Sequence, residues 1–332
     1  VQSIAMVECL RDGWCEPPSQ AGLHLSTLIH QILAIILQTG GVKPAAAWEM
    51  LCGKGPFRSV DKPLFADLLR CMATPENKLI EQSPDRLIMI GATGEAITES
   101  HEFYPVFVTE REYRIIHETR TLGTYPLTSP VARGETLIFA GRRWKIMEID
   151  DRARAIVVQP TKRGKPPYFS GDAGSTHDVI VGKMKTILAS SDQYPYLERV
   201  AAELLTDARQ AYSSLDLAKR RIVPYADGAL VFPWVGTRKL LTLSLAFLAR
   251  NFEASHFKHT IEVQGCTTDG VRDALSDMAD GDVPDGEAIA VRMAKPCISK
   301  FDHFLSPELM TRVTLKERLD VECLPTLAQS LI

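Results

Sequence analysis

Residues 61–90 read DKPLFADLLRCMATPENKLIEQSPDRLIMI, and two periodicities follow one another within them. Asp61 can accept from the free amides of a helix start and Pro63 suits a first turn. Leu64, Phe65, Leu68, Leu69 and Met72 then recur at helical spacing, so a helix is expected from Asp61 to Met72. Two short apolar runs come next, Lys78 to Glu81 and Arg86 to Ile90. The turn-like Ser83-Pro84-Asp85 splits them, which predicts a small hairpin. Upstream, Leu25, Leu28, Ile29, Ile32, Leu33, Ile36 and Leu37 predict a helix from Leu23 to Gln38 that Gly40-Gly41 stops. A further helix is expected over Pro44 to Leu51. Three helices and then a hairpin is the order of elements in a winged helix-turn-helix, assigned here to residues 23–100.

The composition changes after Ser100. EFYPVFV, EYRIIH, TLIFAGRRWKIMEID and AIVVQP are short runs rich in β-branched and aromatic residues. Ala140-Gly141 and Asp150-Asp151 fall where hairpin turns belong. Such closely spaced strands predict a small β-barrel or strongly twisted sheet over residues 101–172. The loop TKRGKPPYFSGDAGS closes it. In residues 173–332, helices are expected from Asp178 to Leu188, Leu197 to Ala218 and Arg238 to Asn251, with a strand-like piece from Gly228 to Trp234. The acidic stretch Asp269 to Glu287 reads as a solvated helix and loop. Residues 1–22 form a Pro-containing lead-in. The expected class is α+β: a winged-helix domain, a small β-barrel domain and additional helical elements.

Composition narrows the function. The chain has 332 residues, too many for one ordinary core and suited to two or three domains. Hydrophobic residues at 45% and charged residues at 24% are globular values. A net charge of −3 excludes a uniformly basic protein but not a local basic stripe. No apolar run reaches the roughly 18 residues of a membrane span, and no secretory leader is read, so a cytoplasmic, membrane-free location is expected. An opening at Val1 fits either a chain cut from something longer or a non-methionine start. The seven cysteines are odd in number and contain no C-x-x-C pair, so reduced thiols are expected rather than disulfides or zinc. His256 and His259 lack a companion carboxylate or cysteine set, so no metal is expected there.

The catalytic motifs are absent. Gly53-Lys54-Gly55 runs into Pro56-Phe57, which offers no phosphate loop, and there is no G-x-G-x-x-G, G-x-S-x-G or H-E-x-x-H. Asp150 and Asp151 are adjacent at a turn, where side chains diverge. No catalytic residue is nominated, and no cofactor is expected on this chain.

Charge and aromatic content point instead to nucleic acid. Between Arg133 and Lys165 nine basic residues face four acidic ones, with the aromatics Phe139 and Trp144 among them and Tyr168 and Phe169 just after. Cationic side chains bind phosphates with release of counterions, and exposed aromatics stack on unpaired bases. Arg142, Arg143, Trp144, Lys145, Lys162, Arg163 and Lys165 are therefore the first candidates. The helix at 61–72 adds Lys62 and Arg70, with Arg58 just before it, as groove or backbone contacts. The turn FPWVGTR adds Trp234 for stacking, Thr237 as a helix cap, and Arg238 beside helix-terminal amides that can hold a phosphate.

Several stretches together resemble one family in order along nearly the whole chain. VECLRDGWCEPPSQAGLHLSTLIHQILAIILQTG is similar to the segment that follows the second RecA-like domain of large helicase-related (Lhr-type) DEAD/DEAH-box helicases. HEFYPVFVTEREYRIIH, GTYPL and FAGRRWKIMEID resemble that family's β-barrel region, and VFPWVGTRKLLTLSLAFL and KFDHFLSPELM its C-terminal part. The resemblance implies a winged helix, then a barrel-containing domain with further winged-helix-like elements. It implies that these parts serve a superfamily-2 motor, in cis or in trans, that moves on single-stranded DNA and unwinds duplexes or DNA:RNA hybrids. ATP and magnesium would bind that motor, upstream of Val1, and not this chain. DNA repair is the pathway the family suggests. The alternatives are a stand-alone winged-helix regulator reading duplex DNA, and a DNA glycosylase-like repair protein, for which no catalytic residue can be named.

Overall fold

The computed structural model describes residues 1–18, 22–106, 112–118, 120–126, 133–134, 136–140, 142–150, 153–161, 174–293 and 297–332. The chain is α+β and divides into two compact units. Residues 1–100 and 175–332 together make the first, and residues 101–174 form the second as an insertion.

The first segment of the larger unit opens with α1 (Gln2–Arg11), α2 (Leu25–Thr39), α3 (Pro44–Trp48) and α4 (Lys62–Met72). It continues through β1 (Ile80–Gln82), β2 (Ile88–Ile90) and α5 (Ala92–Thr98). α2 buries the apolar stripe Leu25, Leu28, Ile29, Ile32, Leu33 and Ile36, and Gly40 ends it in the left-handed conformation at φ 73°. α4 starts as its sequence dictates: the Asp61 carboxylate accepts from Leu64 N at 2.9 Å, and Pro63 sits in the first turn. β1 and β2 pair antiparallel, Ile80 opposite Ile90, and Val42 bridges Ile88 on the far side of β2.

The inserted unit holds β3 (Glu112–His117), β4 (Arg120–Pro126), β5 (Thr136–Phe139), β6 (Arg142–Asp150) and β7 (Ala155–Pro160). Their order is β4-β3-β7-β6-β5, antiparallel except for the parallel β3/β7 pair. One face buries Tyr113, Ile115, Leu137, Trp144, Ile146 and Ile156. The expected barrel is corrected here. The sheet curls far enough to bring Tyr125 of β4 within 6.4 Å of Phe139 of β5, edge to face, yet among the described residues no ladder joins these outer strands. It is a curled, open sheet. Gly123 permits the approach: a Cβ there, at φ 155°, would lie 2.8 Å from the Phe139 ring.

The second segment of the larger unit runs α6 (Asp178–Ala189), α7 (Arg199–Ser214), β8 (Ile222–Tyr225), β9 (Gly228–Val231), α8 (Thr237–Ala249), β10 (Glu253–Phe257) and β11 (Thr260–Gln264). Then come α9 (Thr268–Ala279), α10 (Gly286–Ala290), α11 (Pro307–Val313) and α12 (Leu324–Gln329). A four-stranded sheet, β10-β11-β9-β8, packs α8, α9 and α12 around a core that includes Val231, Leu243, Phe247, Ile261 and Leu275. α9 is the acidic stretch. It is not merely solvated, since Val271, Ala274, Leu275 and Met278 turn its apolar stripe into that core. The two segments interlock. α1 packs on α6 through Ile4, Ala5 and Cys9 against Ile180, Met184 and Ile187. Phe301 N donates to Ser26 Oγ at 2.8 Å, and Asn77 Nδ2 donates to Phe304 O at 2.8 Å. No helix among the described residues is long and apolar enough to cross a membrane.

Candidate nucleic-acid interface

In the inserted unit, β6 sorts its side chains by pleat. Arg143 and Lys145 are exposed, whereas Trp144 and Ile146 between and after them are buried. Lys145 lies opposite Thr136 on β5 and Gln159 on β7, and Arg142, at the strand's start, is also exposed. Two strands away, Arg114 is exposed on the same outer face, its neighbours Tyr113 and Ile115 being the buried ones. The outer face thus carries Arg143 and Lys145 toward the start of β6 and Arg114 at the opposite end, where the exposed Glu148 and Asp150 of β6 share the face with it. Trp144 is a correction: it is 6% exposed, its Nε1 donates to Phe139 O at 3.1 Å, and its ring lies 5.3 Å from that of His117. It anchors the sheet and presents no face to a base. Lys162, Arg163 and Lys165 lie outside the described residues.

The cations around α4 are largely engaged. The Lys62 ammonium sits 4.9 Å over the Trp48 ring, whose Nε1 donates to Val60 O at 3.2 Å. Arg70 is ion-paired with Asp67 one turn earlier. Arg58 is exposed in the turn before the helix.

The FPWVGTR turn is built differently from its sequence expectation. Gly236, not Thr237, is the N-cap of α8. Thr237 accepts instead from Thr176 N through its Oγ1 at 2.9 Å, and its own N–H donates to Thr176 O at 2.9 Å. Gly236 N donates to Asp178 Oδ1 at 2.6 Å, and Asp178 Oδ2 pairs with Lys239 Nζ at 2.7 Å. The helix start already holds an anion, the Asp178 carboxylate, so the expected phosphate site is filled from within. Burial pushes the Asp178 carboxyl up, but the hydrogen bonds from Lys239 and Gly236 and the nearby Lys239 and His177 charges leave it below its ordinary value. Arg238 is committed too. Its Nε donates to Leu319 O at 2.8 Å and its Nη2 to Lys316 O at 3.1 Å, which staples α8 to the segment before α12. Trp234 is half-buried with φ 53°, stacked near Phe232 at 6.2 Å and edge-on to Tyr212 at 5.8 Å.

Among the described residues, no group of three histidine, cysteine or acidic side chains is placed to hold a metal. Burial keeps His256 and His259 below the ordinary imidazole value, and Lys258 adds to this for His259.

One basic run was missed in the sequence. Lys219, Arg220 and Arg221 directly precede β8, and three consecutive cations before a β-branched pair was the available signal. No protein-family model, curated protein or solved structure matches this chain.

Proposed function

We propose that this chain grips single-stranded nucleic acid, as single-stranded DNA or a DNA:RNA hybrid opened by a motor, and serves as the post-motor region of an Lhr-type helicase. The observation that carries the reading is the outer face of the inserted sheet, where Arg143, Lys145 and Arg114 lie exposed on strands that also supply part of the family resemblance. Exposed cations on a sheet face bind phosphates, and the affinity they give is salt-sensitive and tolerant of sequence. The order α2, Val42 bridge, α3, α4, β1, β2 agrees with a winged helix. Its cations Lys62 and Arg70 are bound internally, which favours a role in ordering neighbouring parts over reading a duplex groove. ATP and magnesium belong in this reading to RecA-like motor domains supplied in cis or in trans, and no residue here is assigned to them.

Fluorescence anisotropy with labelled single-stranded and duplex oligonucleotides of mixed sequence, at two salt concentrations, tests it. The expected result is a preference for the single strand that weakens as salt rises. Arg143→Glu with Lys145→Glu is expected to flatten the salt slope by about 1.4, since each phosphate contact on a single strand contributes about 0.7. Unchanged affinity and slope would defeat the assignment to this face.

A further inference from the structure

One end of the four-stranded sheet in the larger unit brings together cations and aromatics that the outer face of β6 does not use. The last paired row at this end holds Ile222, Val231, Ile261 and His256 across the strands. Ile222, Val231 and Ile261 point into the core, and His256 Nδ1 lies 3.4 Å from Ser244 Oγ of α8, so this row faces inward. Because side chains alternate, the next row toward the edge faces outward. It consists of Arg221, Phe232, Thr260 and Phe257: Phe232 N donates to Arg221 O at 2.8 Å, and Phe257 pairs with Thr260. At a strand spacing of about 4.8 Å, the row spans about 14 Å.

The chemistry along that row is consistent. Phe257 is 64% exposed at the hairpin tip, and the Lys258 ammonium lies 5.4 Å from its centre. Lys258 holds the tip in the left-handed region at φ 52°. At the other end, Lys219 and Arg220 are exposed and Arg221 is fixed by donation to Leu217 O at 2.8 Å. Lys185 lies close enough to Arg221 that burial, and then the Arg221 charge, push its ammonium below the ordinary value. Like charges are therefore crowded here, and among the described residues no carboxylate forms an ion pair with Lys185, Lys219, Arg220, Arg221 or Lys258. The main-chain oxygen of Asp216 closes the turn by accepting from the Lys219 and Arg220 N–H groups, and the carboxylate on the same outward face, Glu262, accepts from Gln264 Nε2 at 3.3 Å. Within the row Phe232 is half-buried, packed with Trp234 against Tyr212, so the exposed groups are at the two ends.

We propose that this sheet edge is a second single-strand platform, on which a base stacks on Phe257 while Lys258 at one end and Lys219, Arg220 and Arg221 at the other take the flanking phosphates. The occupant is an unpaired nucleic-acid strand: a deposit of uncompensated cations selects a polyanion, and an exposed phenyl ring beside them selects one that carries flat apolar faces. Fourteen ångströms corresponds to about four stacked nucleotides at 3.4 Å each. The platform deepens the reading above and rests on it, adding a contact in the larger unit.

The test uses the full chain and a fluorescein-labelled oligothymidylate of about 15 nucleotides, read by anisotropy against salt. Phe257→Ala is expected to weaken binding about tenfold, within the range of stacking losses on such platforms. Phe257→Leu should behave like the alanine variant, whereas Phe257→Trp should retain affinity and show quenching of the new indole as the strand binds. Lys219→Glu with Arg220→Glu should lower the salt slope by about 1.4. Phe257 is exposed, so circular dichroism and the unfolding midpoint of all these variants should match the parent. If the parent binds and Phe257→Ala binds equally well, the platform is overturned while the strand-gripping reading stands. If the parent itself fails to bind, both fall.

Discussion

Asp178 ties two helix starts and the Trp234 turn to one carboxylate, and its removal gives a calculable loss. Its Oδ1 accepts from Gly236 N at 2.6 Å, a hydrogen bond to a charged acceptor, for which about 1.5–3 kcal/mol is typical. The favourable position at the start of α8 adds about 0.3–1 kcal/mol. The Lys239 pair adds little: the two side chains are 41% and 34% exposed, so screening holds it to about 0–1 kcal/mol. Asp178→Ala should therefore cost about 2–5 kcal/mol, which for a unit of this size lowers Tm by roughly 4–20 °C. Asp178→Asn keeps an acceptor for Gly236 and should lose about 1 kcal/mol, while Lys239→Ala should lose less. The folded-state pKa of Asp178 is depressed, so its stabilisation is complete above the ordinary carboxylate range and disappears as pH falls through the lower folded value. The Tm gap between parent and alanine variant should hold from about pH 5 to 8 and narrow only below about pH 4. Thermal unfolding followed by circular dichroism across that range measures it. A gap under about 0.5 kcal/mol, or one that closes already near pH 6, would refute the reasoning.

Trp144→Ala empties a buried ring position and strands Phe139 O, so the inserted unit should lose about 3–5 kcal/mol, read as an early transition in urea. Asp61→Ala removes the side-chain acceptor at the start of α4 and should lower the stability of the larger unit by about 1 kcal/mol in the same assay. Burial pushes the Cys52 and Cys323 thiols up to about 11, so an aromatic disulfide reagent near neutral pH should label the exposed Cys15 and Cys297 well ahead of them. Equal labelling rates in a folded sample would contradict that burial.

The parts that were legible in the sequence are those whose signal is local. α2 and α4 carry their own periodicity and, for α4, their own cap, so both are found within two residues of the expected bounds at each end. The change at Ser100 was visible because β-branched runs replace helical spacing there. What was not legible depends on partners distant in sequence. β10, EASHF, is mostly exposed and polar, and it is a strand only because β11 pairs with it. β8 is four residues with a proline in it. Closure of the inserted sheet is a matter of global curvature, which strand content does not specify. The inward turn of Trp144 is written in the alternation of RRWKIMEID, where Trp144 and Ile146 share one face and Arg143 and Lys145 the other. The Asp178 carboxylate at the start of α8 is fifty-eight residues away from the amide it serves, and no spacing rule reaches that far.

The interruption of the larger unit by residues 101–174 has a consequence for how the protein is made. Gln2 Nε2 donates to Thr176 Oγ1 across a separation of 174 residues. At synthesis rates of about 5–20 residues per second, that interval takes roughly 10–35 s. Throughout it, α1 has no α6 to cover Ile4, Ala5 and Cys9, and a ten-residue helix is marginal by itself. The inserted sheet can complete its own ladder during this time, because all of its strands emerge together. The nascent chain thus passes through a stage in which its interior piece is finished while its flanking piece waits with an apolar surface uncovered, and that stage is where a ribosome-associated chaperone would find it.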